Sequence, residues 1–205
     1  TRIHNEGVAQ VIGARTTELP WSAIREVWFE AVTVQAGGVL GAAVGAAFGA
    51  ATKRKAARLA PNTTNITVRL VGSDGTRLSL TSNDKGVVEA FEEILPRVCP
   101  RLLAEATQQV QQGQPVAFGP VSISQRGVAT GRKDPVGYCE IETFGIQGGK
   151  LRLKKRGTWL DVFAVPIKNI PNVFVLTDLY AHLSAAPPDP SRAGVGAHLS
   201  SSAFV

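Results

Sequence analysis

The chain has 205 residues, 44% of them hydrophobic, enough for one large or two small packed domains; this excludes wholesale disorder. The formal charge of +6 favours anionic partners, and nucleic acid ranks below a membrane surface because no recognition motif accompanies the charge. The two cysteines, Cys99 and Cys139, fall in no metal or disulfide spacing and read as free buried thiols of a reducing compartment.

In chain order, the first segment is Arg2–Val11, RIHNEGVAQV, followed by WSAIREV at Trp21–Val27. Both return later. SISQRGVATG at Ser122–Gly131 matches the first, with Ile3 on Ile123 and Gly7-Val8-Ala9 on Gly127-Val128-Ala129. YCEIETF at Tyr138–Phe144 matches the second, each with an aromatic first and an isoleucine in the middle. Two matches in the same order, with a slightly shorter link in the second unit, point to an internal duplication.

After the first strand comes a Gly/Ala-rich insert over 35–62, with glycines at Gly37, Gly41, Gly45 and Gly49, and then Lys53, Arg54, Lys55 and Arg58. From Ala36 to Thr52 it is uncharged. As a helix that run would reach about 25 Å, short of the roughly 30 Å hydrocarbon core, and each glycine would cost about 1 kcal/mol relative to alanine. Such a helix needs a close partner surface, which a glycine face permits. The insert also lies between two strands of one domain, so a single membrane crossing would separate strands that share a sheet. A hairpin dipping into a membrane surface, a helix packed on its own or another subunit, and a mobile loop stay open as readings.

NITVRLVGSDGTRLSL reads as a hairpin turning at Gly72–Gly75. SNDKGVVEAFEEIL then gives a helix with Ser82, Asn83 or Asp84 as cap and an apolar stripe Val87, Val88, Phe91, Ile94, Leu95. Pro96 and Pro100 are expected to break or kink it before a linking helix over 101–113. In the second unit GIQGGKL at Gly145–Leu151 reads as a hairpin turn, since its glycine spacing is one short of a phosphate loop and Leu follows the lysine. KLRLKKRGTWLDVFAV turns near Arg156-Gly157, with Leu151 and Leu153 facing in and Lys150, Arg152 and Lys154 facing out. PNVFVLTDLYAHL gives a closing helix capped by Asn172, and a Pro-, Gly- and Ser-rich tail over 185–205 reads as disordered.

The expected fold is α+β and mainly β, each unit an antiparallel sheet or partial barrel closed by a C-terminal helix. NEGVAQVIGARTTELPWSAIREVW, GQPVAFGPVSISQRGV and PIKNIPNVFVLTDLYAHL carry a resemblance to an uncharacterised bacterial family with two pleckstrin-homology-like domains in tandem. The resemblance implies domain 1 over 1–113, containing the insert and the linking helix, and domain 2 over 114–184. It brings no activity and no catalytic residues.

His4, His182 and His198 are far apart and lack ligands at metal spacing, no nucleophile elbow occurs, and no cofactor motif is found. The expectation is therefore no enzyme, no metal and no cofactor. What stands out is chemistry for binding: Gly37, Gly41, Gly45, Phe48 and Gly49 as membrane or partner contacts, and Lys53, Arg54, Lys55, Lys150, Arg152 and Lys154 as anion-binding residues, with a merely solvated hairpin face as the other reading of Lys150–Arg156. Trp159 beside the basic strand suits a headgroup interface but more often such a residue is core. The expected function is a non-enzymatic module, cytoplasmic and peripheral at the inner membrane face. The alternative is a protein-interaction scaffold that forms homo-oligomers through the glycine insert.

Overall fold

The computed structural model describes residues 2–35, 38–40, 63–81 and 87–185. Among these, four antiparallel sheets and two α-helices form a mainly β architecture. Strands β1 (Arg2–Ile3), β2 (Gly7–Ile12) and β3 (Arg15–Pro20) make the first sheet. Strands β4 (Ile24–Gln35), β5 (Gly38–Leu40), β6 (Thr63–Gly72) and β7 (Arg77–Thr81) make the second, in the order β5-β4-β6-β7. Helix α1 (Val87–Gln111) follows. Strands β8 (Val116–Phe118), β9 (Val121–Ser124) and β10 (Gly127–Thr130) form the third sheet, and β11 (Ile141–Gln147), β12 (Lys150–Lys155) and β13 (Asp161–Pro166) the fourth. Helix α2 (Val173–Ala185) closes the described chain.

The repeat seen in the sequence extends to register. Ile3 pairs with Val8 as Ile123 pairs with Val128, and Arg2 with Ala9 as Ser122 with Ala129. Gly7 and Gly127 occupy equivalent places for one steric reason. A Cβ on Gly7 would lie 2.5 Å from the Leu19 carbonyl oxygen, and one on Gly127 would lie 2.0 Å from that of Val136. Trp21 and Tyr138 each open a 3-10 turn, Trp21–Ala23 and Tyr138–Glu140. Each then reaches the same carbonyl of its own hairpin: Trp21 Nε1 donates to His4 at 3.2 Å, and the Tyr138 hydroxyl donates to Ser124 at 2.7 Å. Even the irregularity repeats. The pairing of β4 slips between Ile24 and Glu26, and that of β11 between Ile141 and Thr143, two bulges at one position of the unit.

The units differ in how they reverse the chain. Gly148 and Gly149, at φ 59° and 68°, join β11 to β12 in a tight two-residue turn, a mirror-image geometry that residues with a Cβ resist. This agrees with the hairpin reading of GIQGGKL. The equivalent connection in the first unit spans 36–62. Within it, Gly38–Leu40 is not the start of a helix but strand β5, paired with Thr33–Gln35. Strand pairing there satisfies the backbone along its whole edge, whereas a short glycine-containing helix start cannot nucleate alone. The remaining candidates, Gly37, Gly41, Gly45, Phe48, Gly49, Lys53, Arg54 and Lys55, lie outside the described residues, as do Ser82, Asn83, Asp84 and the tail after Ala185.

Helix α1 runs through Pro96 and Pro100 as one element, so the expected break does not occur and 101–113 is no separate helix. Both prolines sit on the exposed side. A mid-helix proline costs about 3 kcal/mol. The opposite stripe, Phe91, Ile94, Val98, Leu102, Ala106 and Val110, is buried at helical spacing and offsets that cost at about 1.5–3 kcal/mol for each large side chain. The same stripe joins the units. The buried residues of both units belong to one contiguous cluster. Phe29 of β4 stacks on Phe91 of α1 at 4.8 Å, and Phe174 of α2 meets both, at 6.0 Å and 5.8 Å.

Asn172 ties α2 to the first unit. Its backbone carbonyl accepts from Leu176 N at 3.0 Å, as a helix-capping residue does. Its side chain, however, turns to β4: Oδ1 accepts from Val27 N and Nδ2 donates to the Arg25 carbonyl, both at 2.8 Å. Asn172 N also donates to Val27 O at 2.8 Å. The φ of 53° that this needs is one asparagine tolerates better than most residues.

Candidate functional site

The basic strand β12 alternates as its sequence requires. Leu151 and Leu153 are fully buried, and Lys150, Arg152 and Lys154 point the other way. Yet two of those three cations carry carboxylate partners from neighbouring strands. Arg152 pairs with Asp161 at 2.8 Å and Lys154 with Glu142 at 3.0 Å. Lys155 pairs with Glu140 at 2.7 Å, and this contact, with a hydrogen bond from Gly137 N, holds the Glu140 carboxyl below its ordinary range. Among the described residues Lys150 alone of the expected trio has no ion pair, so the strand presents less free positive charge than its composition suggests. The partners are invisible to a linear reading because the two reading frames of a sheet meet only through register.

The exposed apolar surface lies one turn away. Between β12 and β13, at 156–160, Trp159 is 99% exposed and Leu160 81%. Trp159 is therefore not core. The turn is nonetheless well built. Thr158 N donates to Lys155 O at 3.2 Å, and the Thr158 hydroxyl donates to Lys155 O at 2.7 Å and to Leu160 O at 3.2 Å. Arg156 N donates to Glu140 O at 2.8 Å, and Arg156 Nε to Ile141 O at 3.3 Å. The segment is held by its backbone while its largest side chains stay in solvent. A second, smaller apolar exposure is Val11 and Ile12 at the end of β2.

A cleft of about 420 Å³ beside the first hairpin is lined by His4, Glu6, Glu18 and Leu19 among others. Among the described residues no three of His, Cys, Asp or Glu are grouped to hold a metal ion. The thiols differ: Cys139 is exposed, against expectation, because it lies on the 3-10 turn outside the sheet, while Cys99 is partly buried on α1. Burial, helped by the charge of Asp178, pushes the Cys99 thiol up to about 11.

The insert is positioned by its flanks. Leu40 pairs with Thr33 and Thr63 pairs with Val34, so the chain leaves and returns at one end of the β4–β6 ribbon. No helix among the described residues is long and apolar enough to cross a membrane.

No curated protein and no solved structure gives a significant match to the chain. The profile of a family of unknown function, DUF6585, matches residues 43–188, which takes in β6, α1, the whole second unit and α2. With well over half its length covered, the chain belongs to that family.

Proposed function

We propose that the protein is a non-enzymatic binding module of two pleckstrin-homology-like units in tandem, docked peripherally on the anionic cytoplasmic face of a membrane by its 41–62 segment. The observation that carries this reading is the position of that segment's ends. Thr33–Leu40 and Val34–Thr63 are neighbouring pairs, so the two ends of the segment lie at one end of the β4–β6 ribbon. A segment that leaves and returns at one edge suits insertion into one leaflet and not a span. Its composition suits the same surface: Val44 and Phe48 for the acyl boundary, then Lys53, Arg54, Lys55 and Arg58 with no acidic residue between Ala36 and Ala60. The second unit supports the view that the segment serves something other than folding, since two glycines make the equivalent connection.

The register supplies the test. Replacing residues 35–62 by two glycines would join Val34 to Thr63 as Gly148–Gly149 join Gln147 to Lys150. The full chain is expected to float with vesicles of phosphatidylserine and phosphatidylcholine and not with phosphatidylcholine alone, and the shortened chain to float weakly. Absence of the full chain from both vesicle fractions overturns the reading. A full chain that self-associates while the shortened one is monomeric, with no flotation by either, establishes the scaffold alternative instead.

A further inference from the structure

We infer that the β12–β13 turn is a second membrane-contact element, in which Trp159 and Leu160 enter the interfacial layer of an anionic bilayer. This rests on the peripheral-membrane reading but assigns a contact to different residues. The first unit provides the internal control. Its equivalent turn, between β6 and β7, is Ser73-Asp74-Gly75-Thr76, and there Asp74 accepts from Thr76 N at 2.9 Å and from its hydroxyl at 2.7 Å. Chain reversal at this point of the fold therefore needs only short polar residues. The second unit spends one residue more and places a tryptophan and a leucine, 99% and 81% exposed, where its counterpart has Gly and Thr. Leaving both in water has no folding benefit, because neither belongs to the core or packs against it.

The surrounding charge selects the surface. Arg156 opens the turn and among the described residues has no carboxylate partner; its Nε holds the Ile141 carbonyl. Lys155 precedes it, paired with Glu140. Arg126, exposed in the β9–β10 turn, belongs to the same end of the unit, since the Arg126 carbonyl approaches Gly137, and Gly137 N donates to Glu140. The nearby carboxylates Glu140, Glu142 and Asp161 are each matched by a cation, Lys155, Lys154 and Arg152, so Arg156 and Arg126 leave the rim positive, which suits acidic headgroups. The size of the apolar tip favours a bilayer over a protein partner. Tryptophan and leucine together bury at most about 400 Å², half of the roughly 800 Å² each partner contributes to a standard protein interface. A bilayer needs no shape complement, and tryptophan prefers its interface.

The test uses the full chain with vesicles of equimolar phosphatidylserine and phosphatidylcholine, some carrying brominated acyl chains that quench tryptophan on contact. Trp21 and Trp28 are half-buried beneath Arg97 and Arg69, so Trp159 is the tryptophan the bilayer reaches. Quenching is expected in the wild type and not in Trp159→Ala. The pair Trp159→Ala, Leu160→Ala should melt with the wild type and partition at least about tenfold more weakly. The two-glycine replacement of 35–62 separates the claims. If it abolishes flotation while the tip variant binds like wild type, the tip inference is wrong and the insert reading stands. If the tip variant loses binding and the shortened chain keeps both binding and Trp159 quenching, the tip stands and the insert reading is wrong. Shielding of Trp159 that grows with protein concentration in the absence of vesicles overturns the inference in favour of a second copy.

Discussion

Past their shared bulges the two units take different decisions with one backbone plan. The first reverses through Ser73-Asp74-Gly75-Thr76 after a long excursion over 36–62, and the second turns on two glycines and then displays Arg156 to Leu160. Where the units agree, the cause is steric or hydrogen-bonding need: Gly7 and Gly127 under a crossing carbonyl, Trp21 and Tyr138 on the same loop oxygen. Where they disagree, the fold tolerates both solutions, and the residues are free to serve binding. Agreement thus marks scaffold, and divergence marks the two candidate contact elements, one in each unit.

The glycine pair offers the strongest way to break this equivalence. In Gly127→Ala the new methyl would meet Val136 O at 2.0 Å from a φ of 139°, so a loss of about 3 kcal/mol or more is expected in urea unfolding. Gly7→Ala meets Leu19 O at 2.5 Å without the positive φ and should cost less, about 2 kcal/mol. Equal stability of Gly127→Ala and wild type would show that the Val136 carbonyl does not constrain this position.

The thiols compare the shared core with the divergent turns. Below pH 9.0 Cys99 is protonated folded and unfolded; as pH rises from 9.0 toward 11 the unfolded thiol ionises first and stability falls. At about 1.4 kcal/mol per pKa unit, the loss should reach about 3 kcal/mol at most and vanish in Cys99→Ala. Cys139, exposed, should react with a thiol reagent in the native protein, and Cys99 only on unfolding. An alkaline limb unchanged by Cys99→Ala would place the titrating group elsewhere.

The smallest effect sharpens the comparison most. Tyr138→Phe removes the hydroxyl that donates to Ser124, a net loss of about 1 kcal/mol. Trp21→Phe removes the equivalent donor to His4 and Asn5, with added cost for the ring area beneath Arg97. If Tyr138→Phe is neutral while Trp21→Phe is severe, the aromatic positions are equivalent in place and not in energy.

Much of this was legible locally. The alternation of Leu151 and Leu153 with Lys150, Arg152 and Lys154 set the strand faces, the matched Gly-Val-Ala segments set the duplication, and the spacing of Val173, Leu176 and Leu179 set the buried side of α2, because period and turn chemistry are properties of neighbours in sequence. The tertiary structure decided what depends on distant partners. It carried α1 through two prolines by burying the opposite stripe, spent the Asn172 side chain on β4, and brought Asp161 and Glu142 to Arg152 and Lys154. It also left Trp159 in water, since whether a large apolar side chain is covered depends on which surface arrives to cover it, and among the described residues none does.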